Sequence, residues 1–409
     1  MKKLFCTLLF LPLLALASFD AKIIDAKTLE PIRNAIVCNS EHDIKSDDKG
    51  LFTLSVQKGV YHIKAHGYRP LDFNASSQNK LFQLEPIKVK ALYLTFWGAS
   101  NNSKTLKNLL KIIRETQANA VVVDVKNEYG STSFLTSFKQ ANSYGAHKNR
   151  TNRNIQKFMQ TMKDNNIYTI ARIVTFKDEL QASHNPEYAL KRDDNGSIWR
   201  NHDNMAWVDP FDERSHAYTL HISEEAAKVG FDEINFDYIR FPAKSGLRYS
   251  KENTKENRVK AIETFLDSAK GQLYQYGVFI SVNTYGNILW GPKDDDNNIG
   301  QILESLALHS DYIAPMLYPS GFSSGSFHYI YPADHPYAVI YRSLNNIRER
   351  VDITRVRPWL QYFRDYKEEK RPYKRHEIQE QIRPTKELNT NGWMMWSPSS
   401  KYHIAYILP

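Results

Sequence analysis

Residues 230–242 read Gly-Phe-Asp-Glu-Ile-Asn-Phe-Asp-Tyr-Ile-Arg-Phe-Pro, and this stretch predicts a buried strand that ends in a polar site. Ile234, Phe236 and Tyr238 share one face of the predicted strand, whereas Asn235 and Asp237 share the other, because side chains alternate along a strand. Burying an ionised carboxylate costs several kcal/mol unless it is paired. We therefore expect Asp237 either to be neutralised by a partner or to lie exposed at a functional site, and we favour the site.

Seven other strand-like runs accompany this one, and segments long enough for helices separate them. The eight runs are residues 90–97, 120–126, 168–175, 233–241, 278–285, 311–318, 356–362 and 392–396. The helical patterns are residues 104–115, 154–165, 215–229, 258–275, 300–308, 336–350 and 375–385. Eight such alternations predict an α/β fold, a (β/α)₈ TIM barrel. The competing fold, a doubly wound open sheet, is disfavoured because no strand is followed by a Gly-rich phosphate loop.

Before the barrel, short strand-like runs alternate with turn signals and predict a small antiparallel sandwich over residues 18–87. Residues 25–37, residues 48–54 and the pair Gly67-Tyr68 resemble the carboxypeptidase-regulatory-like, prealbumin-type domains. Such modules are commonly accessory. The resemblance therefore implies no catalytic role for this region, and chemistry is expected only in the barrel, residues 88–409.

The N-terminus has the pattern of a secretory signal peptide over residues 1–17. Lys2 and Lys3 precede an apolar run that ends in small residues, and the run is too short for a membrane anchor. No later segment reaches transmembrane length. Cleavage would leave Cys38 as the one cysteine, so an intramolecular disulfide is excluded. We expect a periplasmic or secreted protein whose fold depends on its core.

Charge and aromatic content bear on the partner. The formal charge is +9, or +7 without Lys2 and Lys3, and it is not concentrated into the basic tracts that nucleic-acid binding needs. A modest basic excess favours acidic cell-envelope polymers or membrane surfaces, although a generally basic proteome explains it equally well. Trp and Tyr are plentiful at strand ends, where sugar-binding clefts place flat apolar faces. We expect a polysaccharide or cell-envelope glycan as partner and no nucleic acid.

Polar residues gather late in the predicted strands, where TIM barrels carry their working groups. Run two ends with Asp124, Lys126 and Glu128 at period two. The residues expected to bind substrate are Lys126, Arg172, Arg240, Asn283, Tyr285, Tyr318, Gln361, Trp396 and Trp97. For Lys126 and Arg172 a salt-bridged core layer is an equally good interpretation. Glu233 shares the parity of Asp237 but begins its strand, so we expect it at the opposite, structural end.

Hydrolysis of a glycosidic bond needs a proton donor and a second carboxylate that acts as nucleophile or base. Asp237 is the candidate nucleophile or base, and Asp124 and Glu128 are the candidate partners, with a solvated loop as the alternative for Glu128. A second carboxyl within about 10 Å of Asp237 is the geometry a glycosidase requires. The histidines do not show zinc-like spacing, so neither a metal nor another cofactor is expected.

The barrel region resembles the glycoside hydrolase family formerly classed as a domain of unknown function and distantly related to α-amylase-like barrels. The matching stretches are residues 118–126, 171–178, 207–210, 230–242, 299–301, 315–320 and 392–398. The resemblance implies a (β/α)₈ barrel that hydrolyses a sugar polymer, with Asp237 in the nucleophile's place.

Two positions depart from the family pattern. Asn283 stands where the family often has an aspartate, and Gly321-Phe322 stands where relatives tend to have His-Tyr. Asparagine cannot donate a titrating proton, so Asp124 or Glu128 must act as the proton donor. The leading hypothesis is an exported glycoside hydrolase acting on an envelope or extracellular polysaccharide. The alternatives are a non-catalytic glycan-binding or envelope-scaffold protein on a degenerate barrel, and a metal-dependent deacetylase, which would need a His and Asp cluster at one rim.

Overall fold

The structure is a computed structural model, and it describes residues 18–55, 59–75, 79–367 and 371–408. The predicted signal peptide, residues 1–17, lies outside the described residues. No helix in the described part of the chain combines the length and the apolar character needed to cross a bilayer.

The N-terminal module, residues 18–87, contains two small sheets that share one core. Its strands are β1 (Ser18–Asp25), β2 (Ile36–Cys38), β3 (Asp43–Lys45), β4 (Leu51–Ser55), β5 (Val60–Lys64), β6 (Leu71–Asn74) and β7 (Leu81–Leu84). The sheet orders are β4-β1-β7 and β3-β2-β5-β6. The expectation of a wholly antiparallel module is wrong at one pair, because β1 and β7 run parallel. The module boundary and its resemblance to carboxypeptidase-regulatory-like domains stay predictions.

Phenylalanine rings join the two sheets of the module. Phe19, Phe52 and Phe82 come from one sheet and Phe73 comes from the other, with ring centroids 4.5 to 6.4 Å apart. Their burial gives the module its own hydrophobic core.

Eight parallel strands close into the predicted barrel. They are β8 (Val89–Leu94), β9 (Ala120–Lys126), β10 (Tyr168–Val174), β12 (Glu233–Asp237), β14 (Phe279–Tyr285), β15 (Tyr312–Met316), β16 (Trp359–Gln361) and β17 (Gly392–Trp396). The pairing of β17 with β8 completes the ring. Two short strands, β11 (Lys191–Arg192) and β13 (Leu247–Arg248), form an antiparallel pair that joins the segment after β10 to the segment after β12. The TIM-barrel prediction is confirmed.

The helices alternate with the strands and cover the barrel. They are α1 (Lys104–Glu115), α2 (Lys139–Ser143), α3 (Ile155–Asp164), α4 (Glu179–His184), α5 (Glu213–Lys228), α6 (Lys255–Leu273), α7 (Leu303–His309), α8 (Pro336–Ile347), α9 (Arg375–Glu387) and α10 (Ile404–Ile407). In α1, Ser103 caps the first turn and accepts a hydrogen bond from Leu106 N–H. The residues that α1 buries follow helical spacing: Leu106, Leu109, Ile112 and Ile113.

Strand β12 shows how the barrel interior is layered. Ile234 and Phe236 pack in the hydrophobic layer under the helices, and the alternating positions point inward. At the lower level Glu233 is fully buried against Arg357, with 2.8 Å between Oε2 and Nη1. This is the structural end that the sequence predicts for Glu233.

The middle layer joins Asn235 to Asn283. Asn235 donates to Asn283 Oδ1 at 2.9 Å, and Trp359 Nε1–H donates to the same oxygen at 2.8 Å. Asp237 occupies the upper layer, at the carboxyl ends of the strands.

The module sits against the opposite end of the barrel, at the amino ends of the strands. Lys64 is fully buried there and donates to Val278 C=O at 2.8 Å, with Asp311 Oδ2 at 3.4 Å. Gly67 N–H donates to Tyr312 Oη at 2.9 Å. Burial alone would raise the pKa of Asp311, but the charge of Lys64 and hydrogen bonds lower it well below the usual range. The module therefore closes the end of the barrel that is farthest from Asp237.

Candidate active site

One guanidinium organises the carboxyl end of the barrel. Arg172 on β10 contacts Asp124 through Nη1, and its Nη2 lies 2.7 Å from both Glu128 Oε1 and Asp237 Oδ2. Only 2% of the Arg172 side chain is exposed. We call Arg172, Asp124, Glu128 and Asp237 the Arg172 cluster. The structure thus brings together the three carboxylates and the cation that the sequence singles out.

The carboxylates are close enough for paired chemistry. Glu128 Oε1 and Asp237 Oδ2 lie 2.7 Å from the same nitrogen, so they are at most twice that distance apart. Asp124 contacts the neighbouring nitrogen of the same group. The requirement of a second carboxyl within about 10 Å of Asp237 is met.

Asp237 is paired and mostly buried, so the favoured expectation of an exposed carboxylate is wrong and the alternative, a carboxylate neutralised by a partner, is correct. Its Oδ2 contacts Arg172, its Oδ1 accepts the Tyr238 N–H at 2.7 Å, and 9% of its side chain is exposed. Tyr238 has φ of +50°, a left-handed conformation that is uncommon for an aromatic residue. This turn ends β12 at Asp237, so the predicted continuation to Phe241 and the alternation of Tyr238 with Phe236 are wrong. Strain of this kind is common at functional sites.

Asp124 is the carboxyl whose environment favours the protonated form. Burial raises its pKa to about 6, against the opposing charge of Arg172. Tyr93 on β8 donates its hydroxyl to Asp124 Oδ2 at 3.0 Å. A carboxyl with such a pKa can hold a proton near neutral pH and give it up, as a general acid must.

Glu128 forms the accessible edge of the cluster. Its side chain is 30% exposed, compared with 6% for Asp124. Burial opposes ionisation of Glu128, but the charge of Arg172 and its hydrogen bond lower the pKa below the usual value. Lys177 contributes in the same direction. As the pH falls, Asp124 therefore takes up a proton before Glu128 does.

Aromatic rings border the cluster. Trp396 stacks on Tyr93 with 3.9 Å between ring centroids, and the Arg172 guanidinium lies 5.2 Å from the Trp396 ring. Burial, followed by the charge of Asp237, raises the pKa of Tyr318 well above its usual value. These residues form an apolar wall beside the charged groups, a surface that suits the face of a sugar ring.

A second cation lies beyond Tyr238. The Arg240 guanidinium lies 4.7 Å from the Tyr285 ring, 5.0 Å from the Trp207 ring and 5.3 Å from the Tyr238 ring. Within the described part of the chain Arg240 forms no ion pair, and its Nη1 donates to Phe241 C=O at 3.0 Å. The positive charge of Arg240 is therefore stabilised by cation–π contacts rather than by a carboxylate.

Residues 91–402 match the family described as "Putative glycosyl hydrolase domain". The chain belongs to this family. Membership indicates hydrolysis of glycosidic bonds as the class of activity, and it confirms the resemblance seen in the sequence.

Solved structures with the same fold include glycoside hydrolases. The PgaB (BpsB) glycoside hydrolase domain from Bordetella bronchiseptica is 12% identical, with a TM-score of 0.54 over 77% of this chain and 95% of that chain. Alpha-L-fucosidase isoenzyme 2 from Paenibacillus thiaminolyticus is 12% identical, with a TM-score of 0.52 over 78% of this chain and 48% of that chain. A hypothetical protein from Ruminiclostridium thermocellum is 35% identical, with a TM-score of 0.41 over 47% of this chain and 96% of that chain. No curated protein matches the chain.

Lys126 does not join the Arg172 cluster. The pairing of β9 with β10 shifts register between Arg172 and Ile173, so the period-two pattern breaks after Asp124. Lys126 is fully buried and lies 2.8 Å from Asp178 Oδ2. Its surroundings fit the alternative interpretation, a salt bridge inside the fold.

The remaining predicted binding residues differ in accessibility. Asn283 is engaged below the cluster, and Gln361 is fully buried, accepting hydrogen bonds from the Ser320 N–H and hydroxyl. Tyr285 is 39% exposed beside Arg240, and Trp97 is 70% exposed on a short helical turn after β8. Buried Asn283 and Gln361 are placed to shape the site, whereas Tyr285 and Trp97 are open to a ligand.

Sequence reasoning missed Tyr93, Tyr238 and Lys177. Lys177 lies 4.8 Å from the Tyr238 ring and 2.8 Å from Asp203. Tyr93 faces inward on β8, and the alternation of that strand could have identified it. The turn at Tyr238 leaves no comparable pattern in the sequence.

The cluster that a deacetylase would need is not found in the described ranges, where no group of three His, Cys, Asp or Glu side chains is arranged to hold a metal ion.

Proposed function

We propose that this protein is an exported glycoside hydrolase that cleaves glycosidic bonds of an envelope or extracellular polysaccharide. The observation that carries the proposal is the Arg172 cluster, which places three carboxylates on one guanidinium at the carboxyl end of a glycosyl hydrolase barrel. Active sites of TIM barrels lie at this end.

Asp237 acts as nucleophile or base, and Asp124 acts as the proton donor. As the glycosidic C–O bond breaks, the proton of Asp124 passes to the leaving oxygen, and Asp237 either bonds to the anomeric carbon or takes a proton from an attacking water. Arg172 compensates the negative charge of Asp237 through the 2.7 Å contact. The raised pKa of Asp124 supports its role as the acid.

Five residues are assigned to binding. Trp396 offers its ring to a sugar face, and Glu128 accepts hydrogen bonds from sugar hydroxyls at the open edge. Arg240 donates from its aromatic setting to ring substituents. Tyr285 and Trp97 extend the apolar surface.

Two parts of the proposal, export and the envelope substrate, are inferred from the amino-acid sequence. The signal-peptide pattern of residues 1–17 supports export, and the net charge of +7 without Lys2 and Lys3 supports contact with acidic envelope polymers. Detecting the mature chain, without residues 1–17, in a periplasmic or culture fraction would test this part. Retention of the full-length chain in the cytoplasm would contradict it.

Turnover is the direct test of the hydrolase. The mature protein is incubated with soluble polysaccharides, and new reducing ends are measured for the wild type, for Asp237→Asn and for the matched control Asp48→Asn. Asp48 lies in the module with 92% of its side chain exposed. We expect Asp237→Asn to lose about 100-fold or more in rate and Asp48→Asn to keep it. Equal rates for wild type and Asp237→Asn would refute the role of Asp237.

A non-catalytic glycan-binding protein is the second candidate. It is favoured by the engagement of all three carboxylates with Arg172 and by the small exposure of Asp237. This candidate predicts glycan binding without new reducing ends for any polysaccharide that binds, and equal affinity for wild type and Asp237→Asn.

A further inference from the structure

A basic groove lies on the side of the molecule opposite the Arg172 cluster. It is a cavity of about 730 Å³ between the N-terminal module and the amino ends of β8, β9 and β17. Lys27 and Arg69 line it from the module, and Lys88, Lys90 and Arg114 line it from the barrel side. We call these five residues the basic groove.

The positive charge of the groove is largely uncompensated. Glu85 is the one acidic residue among its described lining residues, and it contacts Arg69 at 3.4 Å. The other four cations form no ion pair with any carboxylate that the structure describes. Lys88 Nζ donates to the neutral amide of Asn389. A concave surface lined by one sign of charge attracts a counter-ion.

Lys90 shows the cost of this arrangement. It is half-buried, and burial together with the charges of Lys386 and Lys88 lowers its pKa. A bound anion would relieve this repulsion, because an opposite charge nearby favours the charged form of a lysine.

Amide side chains accompany the cations. Five asparagines line the groove: Asn119, Asn165, Asn166, Asn389 and Asn391. Some of these amides already bond to the protein, Asn119 to the backbone of Lys88 and Lys90 and Asn391 to Arg357. The remaining donors and acceptors suit the hydroxyl groups of a sugar. The described lining contains no Phe, Tyr or Trp, whereas single-stranded nucleic acids are held by base stacking on such rings. The concave shape is also unsuited to a flat membrane.

The groove continues around the molecule, which favours a polymer over a single ion. A second cavity of about 690 Å³, whose lining includes Asp72 and Asp232 as well as Lys163, shares Arg69 and Asn166 with the first. Arg69 Nη2 donates to Asn166 C=O at 2.9 Å and so joins the module to the barrel where the two cavities meet.

We propose that the basic groove binds an acidic polysaccharide, a linear chain that carries uronate carboxylates, on the end of the barrel opposite the catalytic cluster. The carboxylates contact Lys88, Lys90 and Arg114, and the asparagine amides contact the hydroxyls. The site anchors the enzyme to an anionic glycan independently of cleavage. The expectation that the ligand is a glycan rests on the proposed function.

The test measures equilibrium binding of polygalacturonate and of its methyl ester to the mature chain carrying Asp237→Asn. This substitution is isosteric and prevents loss of a cleavable ligand. The groove variant is Lys88→Gln/Lys90→Gln/Arg114→Gln, and the matched control is Lys45→Gln/Lys107→Gln/Lys139→Gln. The three control lysines are exposed and lie outside both cavities. Both variants lose the same charge.

We expect the groove variant to bind polygalacturonate at least tenfold more weakly and the control to stay within twofold. The methyl ester, which has the same backbone without charge, should bind no better to the parent than to the groove variant. Added salt should weaken polygalacturonate binding. The single variant Arg114→Gln changes an exposed side chain and should weaken binding about threefold, which covers the case of a triple variant that does not fold.

Three results would overturn the proposal: equal affinity of the groove variant and the control, equal binding of polygalacturonate and its ester, or tighter binding of a single-stranded oligonucleotide than of polygalacturonate. Binding is measured without turnover, so it tests only the basic groove. The reducing-end assay tests the hydrolase assignment, and either proposal can therefore fail without the other.

Discussion

Replacing Arg172 with methionine removes the guanidinium from three carboxylates and leaves an apolar side chain of similar size. Removing one partner of a buried ion pair costs about 3 to 5 kcal/mol, because the remaining charge has no compensation. Asp124 and Asp237 are nearly as buried as Arg172. We therefore expect Arg172→Met to lose about 3 to 5 kcal/mol of unfolding free energy at pH 7.5.

The loss should shrink in acid, and the structure indicates by how much. In the wild type the pKa of Asp124 is raised to about 6. Adding a proton to the Asp124 carboxylate therefore costs about 2 kcal/mol at pH 7.5 and almost nothing at pH 5. This pKa already includes the charge of Arg172, which lowers it, so without Arg172 Asp124 keeps its proton up to higher pH and the folded variant binds more protons than folded wild type between these pH values. Stability of the variant then rises as the pH falls. The difference from wild type should be smaller at pH 5 by about 2 kcal/mol.

Urea unfolding followed by far-ultraviolet circular dichroism at pH 5 and pH 7.5 measures both quantities. The control is Arg33→Met, because the Arg33 side chain is 72% exposed and lies 3.9 Å from Asp48; we expect it to change stability by less than about 1 kcal/mol. A loss below about 1 kcal/mol for Arg172→Met, or an equal loss at both pH values, would refute the view that Arg172 compensates buried charge.

Three further predictions concern the proton donor and the module. If Asp124 is the donor, kcat/KM for a polysaccharide substrate should fall as the pH rises above about 6. Asp124→Asn should then lower the rate about 100-fold or more, and Glu128→Gln should lower it less. The reverse order would assign the donor to Glu128. The hydrogen bond from the Tyr93 hydroxyl lowers the pKa of Asp124, so in Tyr93→Phe the decrease in kcat/KM should begin at higher pH. An unchanged pH profile would show that Tyr93 does not affect the titration of Asp124. Lys64→Met removes the fully buried ammonium beside Asp311, where His66 also lies at 3.4 Å. It should destabilise the protein by about 3 to 5 kcal/mol in thermal or urea unfolding, whereas the exposed Lys45→Met should have little effect; equal stability of the two variants would contradict the role of Lys64.

The order of elements in the barrel could be predicted because each strand and helix carries its own period. The parity of β12 placed Glu233 and Asp237 on the inward face and at opposite ends, and the structure has them there. The extent of the strand could not be predicted, because the left-handed turn at Tyr238 depends on contacts around it rather than on a local pattern.

The site was less predictable than the fold. A register shift after Arg172 moved Lys126 away from the carboxylates, and alternation alone carries no signal for such a shift. The basic groove was missed for a different reason. Its cations lie at positions 27, 69, 88, 90 and 114, and a search for basic tracts finds clusters in sequence rather than clusters made by folding.

The net charge of the Arg172 cluster argues for hydrolysis over anion binding at the carboxyl end of the barrel. Three carboxylates and one guanidinium give two excess negative charges, or one when Asp124 is protonated. Glycoside cleavage passes through a transition state that resembles a positively charged oxocarbenium ion. Negative charge fixed in a buried site stabilises such a species more than it stabilises a neutral sugar, and this difference is what accelerates a reaction. The same cluster would repel an acidic glycan, which the basic groove at the other end of the barrel attracts. A polymer held there by its carboxylates would leave its neutral segments to the catalytic end.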